Sequence, residues 1–136
     1  MDTAKLIRTA EEMRERSYVP YSHFSVGAAL LCEDGEIVAG CNIENAAYGP
    51  SVCAERTAFF KAVSEGKRRF TAIAVTGGKQ GEKCVKTPPC GVCRQVMAEF
   101  CDPKEFKVIV SASVDDYDVY TLRELLPAGF GPGNLI

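Results

Sequence analysis

"KTPPCGVCRQVMAEF", residues 86–100, places two cysteines three positions apart at the start of an apolar, helix-like run. Pro88 and Pro89 end the loop before this run and fix the direction in which the chain enters the helix. Because residues i and i+3 share one face of a helix, the sulfurs of Cys90 and Cys93 can reach a single ion. The same spacing also occurs in redox pairs and in packed cores. The rest of the sequence is therefore needed to distinguish a metal site from a redox pair or core residues.

The segments on either side of this stretch alternate between strand and helix patterns. Helical spacing of apolar residues predicts helices over 3–17, 53–66 and 91–100, with a short one near 122–126. Turn signals and buried or alternating apolar runs predict strands over 24–32, 37–45, 70–78, 106–113 and 118–122. This order favours an α/β fold: a three-layer α/β/α sandwich around one mixed five-stranded sheet, in a single domain spanning 1–136.

The composition is that of an ordinary globular protein and excludes several classes of partner. Of the 136 residues, 46% are hydrophobic and 25% are charged, and the formal net charge is −2. A chain without a basic excess has no electrostatic footprint for long nucleic acid. The opening "MDTAKLIRTAEEMRERSY" is charged throughout, and no apolar stretch approaches membrane-spanning length. We therefore expect a soluble, cytoplasmic protein with no nucleic-acid or membrane partner.

The cysteines are more typical of a metal site than of disulfides. There are seven, an odd number, and in a reducing compartment thiols serve mostly as metal ligands, catalytic groups or buried side chains. A thioredoxin-like pair would follow the first strand of a βαβ unit, whereas Cys90 and Cys93 come late in the chain. Cys32, Cys41 and Cys101 lie in or beside apolar runs and are interpreted as core residues.

A second cysteine motif, "CAE" at 53–55, opens the helix that follows a strand and loop. We place Cys53 at the helix cap, so that two helix N-termini aim at the same point and favour thiolate over thiol. Soft thiolate ligands select zinc over magnesium or calcium. The alternative is a closed structural zinc site with Cys84 as the fourth ligand, which would leave Glu55 without a role.

C-A-E followed by P-C-x-x-C is the zinc deaminase signature, with Cys in place of the more usual His. The segments "GCNIENAAYGPSVCAERTA" (40–58) and "PPCGVCRQV" (88–96) resemble the small homotetrameric zinc-dependent cytidine deaminases, and the resemblance extends from "PYSHFSVGAAL" to "ELLPAGF". It implies a cytidine deaminase-like fold. It also implies hydrolytic deamination of cytidine and 2'-deoxycytidine to uridine and 2'-deoxyuridine, with release of ammonia, in pyrimidine salvage.

The resemblance assigns roles to the residues of the two cysteine motifs. Cys53, Cys90 and Cys93 hold one zinc ion per chain, and Glu55 moves protons beside the metal without binding it. Arg56 offsets the excess negative charge of three thiolates through hydrogen bonds to the sulfurs. The alternatives are that Glu55 only complements the helix dipole and that Arg56 is a solvated side chain on the helix face.

Substrate recognition is expected from the strand segment before the first motif. The resemblance assigns Asn42 and Glu44 to the 3'-OH of the sugar, Phe24 to packing on the nucleoside, and the backbone of Ala54 to the base edge. Asn42 and Glu44 alternate outward from one face of the predicted strand, with Cys41 on the other. Solvated polar residues at a sheet edge are the alternative.

Three further residues are implied to reach a neighbouring subunit's site: Ala46, Tyr48 and Phe130. That sharing predicts a homotetramer, and packing of the C-terminal segment on its own domain is the alternative for Phe130. Deaminases of deoxycytidylate, of a blasticidin-like nucleoside or of a tRNA base remain alternatives in the same chemistry. A zinc-stabilised interaction module is an alternative of another class, but it would require four ligands and a basic face.

Overall fold

The chain folds into four α-helices and five strands, and the computed structural model describes every residue from 1 to 136. The helices are α1 (Thr3–Met13), α2 (Ala54–Ser64), α3 (Gly91–Phe100) and α4 (Leu122–Leu125). The strands are β1 (Phe24–Cys32), β2 (Ile37–Cys41), β3 (Phe70–Lys79), β4 (Lys107–Ser113) and β5 (Asp116–Thr121). None of the helices combines the length and the apolar character needed to cross a bilayer.

The strands form one mixed sheet in the order β2-β1-β3-β4-β5. β3 and β4 are parallel and are connected through α3, whereas the other neighbouring strands are antiparallel. A parallel pair requires such a crossover, because its two strands run in the same direction. The prediction of an α/β fold with one mixed five-stranded sheet is confirmed.

Helices cover both faces of the sheet and produce the three layers. On one face α2 and α3 pack over a core that includes Phe59, Met97 and Phe106. On the other face Leu6, Ile7 and Ala10 of α1 pack against small and branched residues of the sheet, which are Ala29, Ala72, Ala74 and Ile109. Each helix therefore buries one apolar stripe, as the helical spacing predicts.

Several element boundaries differ from the prediction. β2 ends at Cys41 rather than continuing to 45, because Ile43 leaves β1 and forms bridges with Tyr18 and Val52. α1 ends at Met13 and continues as a single 3₁₀ turn, Arg14–Arg16. β5 begins at Asp116, two residues earlier than predicted.

A glycine sets how closely α2 approaches the sheet. A Cβ atom on Gly40 of β2 would lie 2.6 Å from the carbonyl oxygen of Ala54 and 2.6 Å from the backbone nitrogen of Ala58. Real Cβ atoms do not come that close to backbone, so only glycine permits this contact. The first turn of α2 is thereby held against the end of β2.

Candidate active site

Three thiols meet where two helices begin. Cys53 is the N-cap of α2, Cys90 is the N-cap of α3, and Cys93 lies in the first turn of α3. The Sγ atoms of Cys53 and Cys90 are 3.7 Å apart, those of Cys90 and Cys93 are 3.5 Å apart, and all three lie within 4.8 Å of one another. The two helix N-termini therefore converge on the sulfurs, and their dipoles favour negative charge there.

The spacing of the sulfurs fits a tetrahedral zinc ion. A Zn–S bond of about 2.3 Å places two tetrahedral sulfur ligands about 3.8 Å apart, close to the two distances found here. Cys84 is not part of the cluster, since its Sγ accepts a hydrogen bond from Nη1 of Arg14 at 3.1 Å. The cluster offers three protein ligands, as a site with an open position requires.

A guanidinium group lies against the sulfurs. Nη2 of Arg56 donates to Sγ of Cys53 at 3.3 Å, while Nε of Arg56 is buried without a hydrogen-bond partner. The neighbouring Cys93 thiol, together with Arg56 and Cys90, lowers the pKa of Cys53 to about 5 against the opposing effect of burial. The same contact with Cys53, together with burial, raises the pKa of Cys93. The Arg56 hydrogen bond thus favours the thiolate form of Cys53.

Glu55 is a buried carboxyl beside the thiols. Its side chain is 3% exposed, and burial raises its pKa to about 7, with the charge on Cys53 acting in the same direction. Its own backbone N–H and the Cys93 thiol oppose the rise. A carboxyl with a pKa near neutrality can both accept and release a proton at physiological pH. Such groups cluster at functional sites.

A cavity of about 320 Å³ opens beside Cys53, Cys90 and Glu55. Four more of the predicted site residues line it: Phe24, Asn42, Glu44 and Arg56. Five lining residues were not predicted: Val26, Ser51, Val52, Thr87 and Pro88. The period of two along β1 could have identified Val26, which shares a face with Phe24. The others lie in loops, where sequence spacing gives no direction.

Asn42 and Glu44 are held firmly at this cavity, although they lie beyond the end of β2. Oδ1 of Asn42 accepts from the backbone nitrogen of Val26, and its Nδ2 donates to the carbonyl oxygen of Phe24, both at 2.9 Å. The Glu44 carboxylate accepts from the backbone nitrogens of Tyr21 and Ser22, each at 3.1 Å, and from the Ser22 hydroxyl. The Ser22 hydroxyl lowers the pKa of Glu44, which keeps it ionised.

The remaining predicted residues do not line this cavity, and they include Cys93, which is buried behind the other two thiols. Ala54 is fully buried behind it, on the first turn of α2. Ala46 and Tyr48 are exposed in the loop after β2, and the Tyr48 ring borders an adjoining cavity of about 440 Å³ that shares Glu44 with the first. Phe130 lines a separate cavity of about 510 Å³ beside the end of α3, which contains none of the three clustered thiols.

Comparison with known proteins shows the family to which this chain belongs. The family model described as the cytidine and deoxycytidylate deaminase zinc-binding region matches residues 1–110. The chain belongs to the cytidine and deoxycytidylate deaminase family. This confirms the family that the two cysteine motifs indicated, and its zinc-binding description agrees with the three-thiol cluster.

Relatives within the deaminase family match nearly the full chain. The cytidine deaminase of Sporosarcina psychrophila is 51% identical over 135 residues, which cover 99% of this chain and 96% of that protein. The cytidine deaminase of Halalkalibacterium halodurans is 52% identical over 130 residues, covering 96% and 95%. The crystal structure of the cytidine deaminase from Burkholderia pseudomallei superposes with a TM-score of 0.86 at 45% identity and covers 96% of this chain and 100% of that one.

Proposed function

We propose that this chain catalyses the zinc-dependent hydrolytic deamination of cytidine and 2'-deoxycytidine, which gives uridine or 2'-deoxyuridine and ammonia. One observation above all supports the proposal: three thiols lie at zinc-ligand spacing, and two of them, Cys53 and Cys90, line one cavity with a buried carboxyl, Glu55. Relatives that are named cytidine deaminases, at about half identity over nearly the full chain, agree with it.

Cys53, Cys90 and Cys93 would hold one zinc ion per chain. Zinc bound there supplies Lewis acidity that makes water nucleophilic near neutral pH. The chain's own task is to hold three sulfurs close together, and the two helix N-termini favour the thiolate form that zinc binding requires. Three thiolates and one zinc dication together carry one excess negative charge. The positively charged Arg56, hydrogen-bonded to Cys53, offsets that charge.

Glu55 carries the protons of the reaction. It accepts a proton from the attacking water and donates it to N3 of the cytosine ring. It then accepts the remaining proton of that water, now on the C4 hydroxyl, and delivers it to the departing amino group. C4 thereby gains an oxygen and loses ammonia. A pKa of about 7 suits a group that must accept and donate in the same turnover.

The lining of the cavity suits a nucleoside. The Phe24 ring packs on the nucleoside, and the 3'-OH donates to Glu44 and accepts the second amide hydrogen of Asn42, whose first hydrogen is bonded to backbone. Ala54 is buried between two residues of the lining, Cys53 and Glu55, and we propose that its backbone contacts the base edge. An N–H group in the first turn of a helix has no partner within the helix.

A homotetramer with shared sites belongs to the same proposal. Tyr48 is 73% exposed and Phe130 is 57% exposed, and Phe130 lies away from the cavity of its own chain. Large exposed aromatic rings are typical of protein interfaces. Tyr48 and Phe130, together with Ala46, would complete a neighbouring subunit's site.

The family description also names deoxycytidylate, and the lining of the cavity favours a nucleoside over a nucleotide. A 5'-phosphate requires a cationic partner, but the one basic residue of the lining, Arg56, is bonded to Cys53. Glu44 adds a negative charge at the same cavity. The lining therefore supports a role in pyrimidine nucleoside salvage. The proposal also includes a cytoplasmic enzyme formed by a single domain.

The test is ammonia release from cytidine, deoxycytidine and deoxycytidylate, with the zinc content measured in the same sample. We expect turnover of both nucleosides and a kcat/KM for deoxycytidylate lower by about 100-fold or more, because a phosphate would meet Glu44 instead of a cation. A preference for deoxycytidylate would overturn the substrate assignment. Zinc-loaded protein that turns over none of the three would identify the metal site as structural.

A further inference from the structure

The loop between β3 and α3, residues 80–90, delivers Cys90 to the metal cluster but has almost no regular structure. Thr87 and Pro88 of the same loop line the cavity. Its pairing with the sheet is a single bridge, in which Val85 and Gly77 exchange backbone hydrogen bonds of 2.6 and 3.4 Å. A ligand-bearing loop of this kind needs other contacts to keep its position.

Arg14, in the 3₁₀ turn after α1, supplies such contacts. Its Nη2 donates to the carbonyl oxygen of Lys79 at 3.1 Å, and its Nη1 donates to the carbonyl oxygen of Glu82 at 3.0 Å and to Sγ of Cys84 at 3.1 Å. Its Nε donates to the carbonyl oxygen and the hydroxyl of Ser25, at 3.1 and 3.0 Å. One planar guanidinium therefore joins the end of α1, the start of β1 and the loop.

The surroundings of Arg14 are shaped to admit it. A Cβ atom on Gly78 would lie 2.9 Å from Nη2 of Arg14, so the guanidinium packs against β3 where the strand has no side chain. Ser25 is 3% exposed and lies between Phe24 and Val26, which both line the cavity. Arg14 thus connects the loop to the β1 wall of the same cavity.

The other side-chain attachment of the loop to the sheet is weaker. Nζ of Lys86 lies 3.0 Å from Asp116 and 3.2 Å from Asp118 of β5, and all three side chains are exposed. Exposed ion pairs contribute little to stability and are screened by salt. The part-buried guanidinium is the firmer attachment.

We propose that Arg14 is a positioning residue for the active site, which fixes the β3–α3 loop and through it Cys90, Thr87 and Pro88. Arg14 touches neither the thiol cluster nor the cavity. Where activity is measured, this inference rests on the proposed function. Loss of the guanidinium frees the loop, weakens zinc binding by about 10–100-fold, as for other residues that support metal ligands, and raises KM. The kcat of the zinc-saturated enzyme stays within about threefold of wild type.

The test compares Arg14→Gln and Arg14→Lys with Arg8→Gln, a matched control at an exposed arginine of α1. Trypsin cleavage of the folded protein at Lys79, Lys83 and Lys86 is followed by mass spectrometry, and zinc retention is measured against a competing chelator. We expect both Arg14 variants to be cleaved in the loop at least about tenfold faster than wild type and to lose zinc more readily. Lysine should not rescue the loop, because one ammonium cannot span the acceptors that a planar guanidinium reaches.

Loop cleavage and zinc affinity equal to those of the Arg8 control would overturn the assignment. So would a fall in kcat alone, with KM and zinc affinity unchanged. If the glutamine variant does not fold, the lysine variant, which keeps the charge and the aliphatic stem, decides the question. Cleavage and zinc retention do not require activity, so a wild-type protein without deaminase activity would contradict the proposed function while these two measurements still judge Arg14.

Discussion

Glu55 is the residue on which the proposed chemistry depends most. It lies on the first turn of α2, next to a cluster of three thiols that it does not join. Burial raises its pKa to about 7, whereas Glu44, at the same cavity, is held ionised by the Ser22 hydroxyl. The proposal therefore gives the two carboxyls of one cavity different tasks, proton transfer for Glu55 and hydrogen-bond acceptance for Glu44.

Replacement Glu55→Gln keeps the shape of the side chain and removes the group that accepts and donates protons. We expect kcat to fall by about 10⁴-fold or more, because loss of a general acid–base usually costs 10²–10⁴-fold and Glu55 serves several transfers. Zinc content should stay near that of wild type, and substrate binding should not weaken in proportion. Steady-state kinetics and metal analysis on one preparation check both.

Two results would contradict this role. A glutamine variant that loses its zinc would identify Glu55 as a ligand or a structural support of the site. A variant within about tenfold of wild type in kcat would mean that another group carries the protons.

At the residue scale, the sequence was informative where chemistry and local geometry coincide. Cys53 could be placed at the cap of α2 and Cys90 beside Cys93, because the starts of the two helices and the spacing of three could be recognised in the sequence. Cys90 lies one position before the first turn of α3, as its N-cap. Thr87 and Pro88 could not be predicted, because the path of their loop depends on tertiary contacts such as those of Arg14. Those contacts have no period in the sequence.

At the scale of elements, the site depends on where two helices begin and on how closely one of them approaches the sheet. Cys53 begins α2, and Gly40 of β2 lets the first two turns of α2 lie directly on the strand. A displacement of α2 would carry Cys53 and Glu55 away from Cys90 together. Packing between β2 and α2 is therefore a determinant of the metal cluster.

The substitution Gly40→Ala should destabilise the fold and weaken the metal site. Its Cβ would meet backbone atoms of Ala54 and Ala58 at 2.6 Å, and backbone cannot turn aside as a flexible side chain can. We expect the free energy of unfolding to fall by about 1–3 kcal/mol or more, together with a loss of zinc affinity. Urea unfolding followed by circular dichroism measures the first, and chelator competition measures the second.

Gly133→Ala is the matched control, since an added Cβ there has no neighbour within 4 Å. It should change the free energy of unfolding by less than about 0.5 kcal/mol. Equal stability of the Gly40 and Gly133 variants would show that α2 can shift on the sheet without cost.

The type and order of the elements could be predicted, because apolar periodicity reports burial directly. The end of a strand was harder to predict where side-chain hydrogen bonds take the place of backbone pairing between strands. The alternation of 37–45 continues beyond Cys41, but there the Asn42 amide bonds to the backbone of β1, and Ile43 turns away to pair with Val52. The alternation of apolar and polar residues is the same whether the segment pairs through its backbone, as a strand does, or through the Asn42 side chain.

At the scale of the whole molecule, the proposal of a shared active site rests on two exposed aromatic side chains, Tyr48 and Phe130. Phe130 lies in the C-terminal segment, where Nε2 of Gln95 donates to its carbonyl oxygen at 2.7 Å while its ring stays 57% exposed. That hydrogen bond fixes the backbone of Phe130, and the Phe130 ring does not line the cavity beside Glu55 in its own chain. We propose that the Phe130 ring contributes to the active site of a neighbouring subunit.

Truncation after Gly129 removes Phe130 and should raise KM sharply even if folding survives, because a neighbour's cavity loses part of its wall. We expect at least a tenfold increase. Truncation after Asn134 is the control, since Leu135 and Ile136 are 78% and 100% exposed. Analytical ultracentrifugation of the wild type should report a tetramer, and a fully active monomer would refute the shared site.

The oligomeric state is the feature that could be predicted least from the residues of one chain. The tetramer was inferred from resemblance, since exposure of Tyr48 and Phe130 indicates an interface without giving its symmetry. Contacts between subunits are set by the shape of the folded surface, which apolar spacing does not encode.

The most direct measurement is a titration of zinc into protein from which metal has been removed by a chelator, with cytidine deamination followed at each step. Because Cys53, Cys90 and Cys93 form one cluster, activity should begin near zero, rise in proportion to added zinc and stop rising at about one zinc per chain. The alanine variant of Cys90 should show no rise. Full deaminase activity in the metal-free wild type, or a Cys90→Ala variant that regains activity with zinc, would contradict a three-thiolate zinc deaminase.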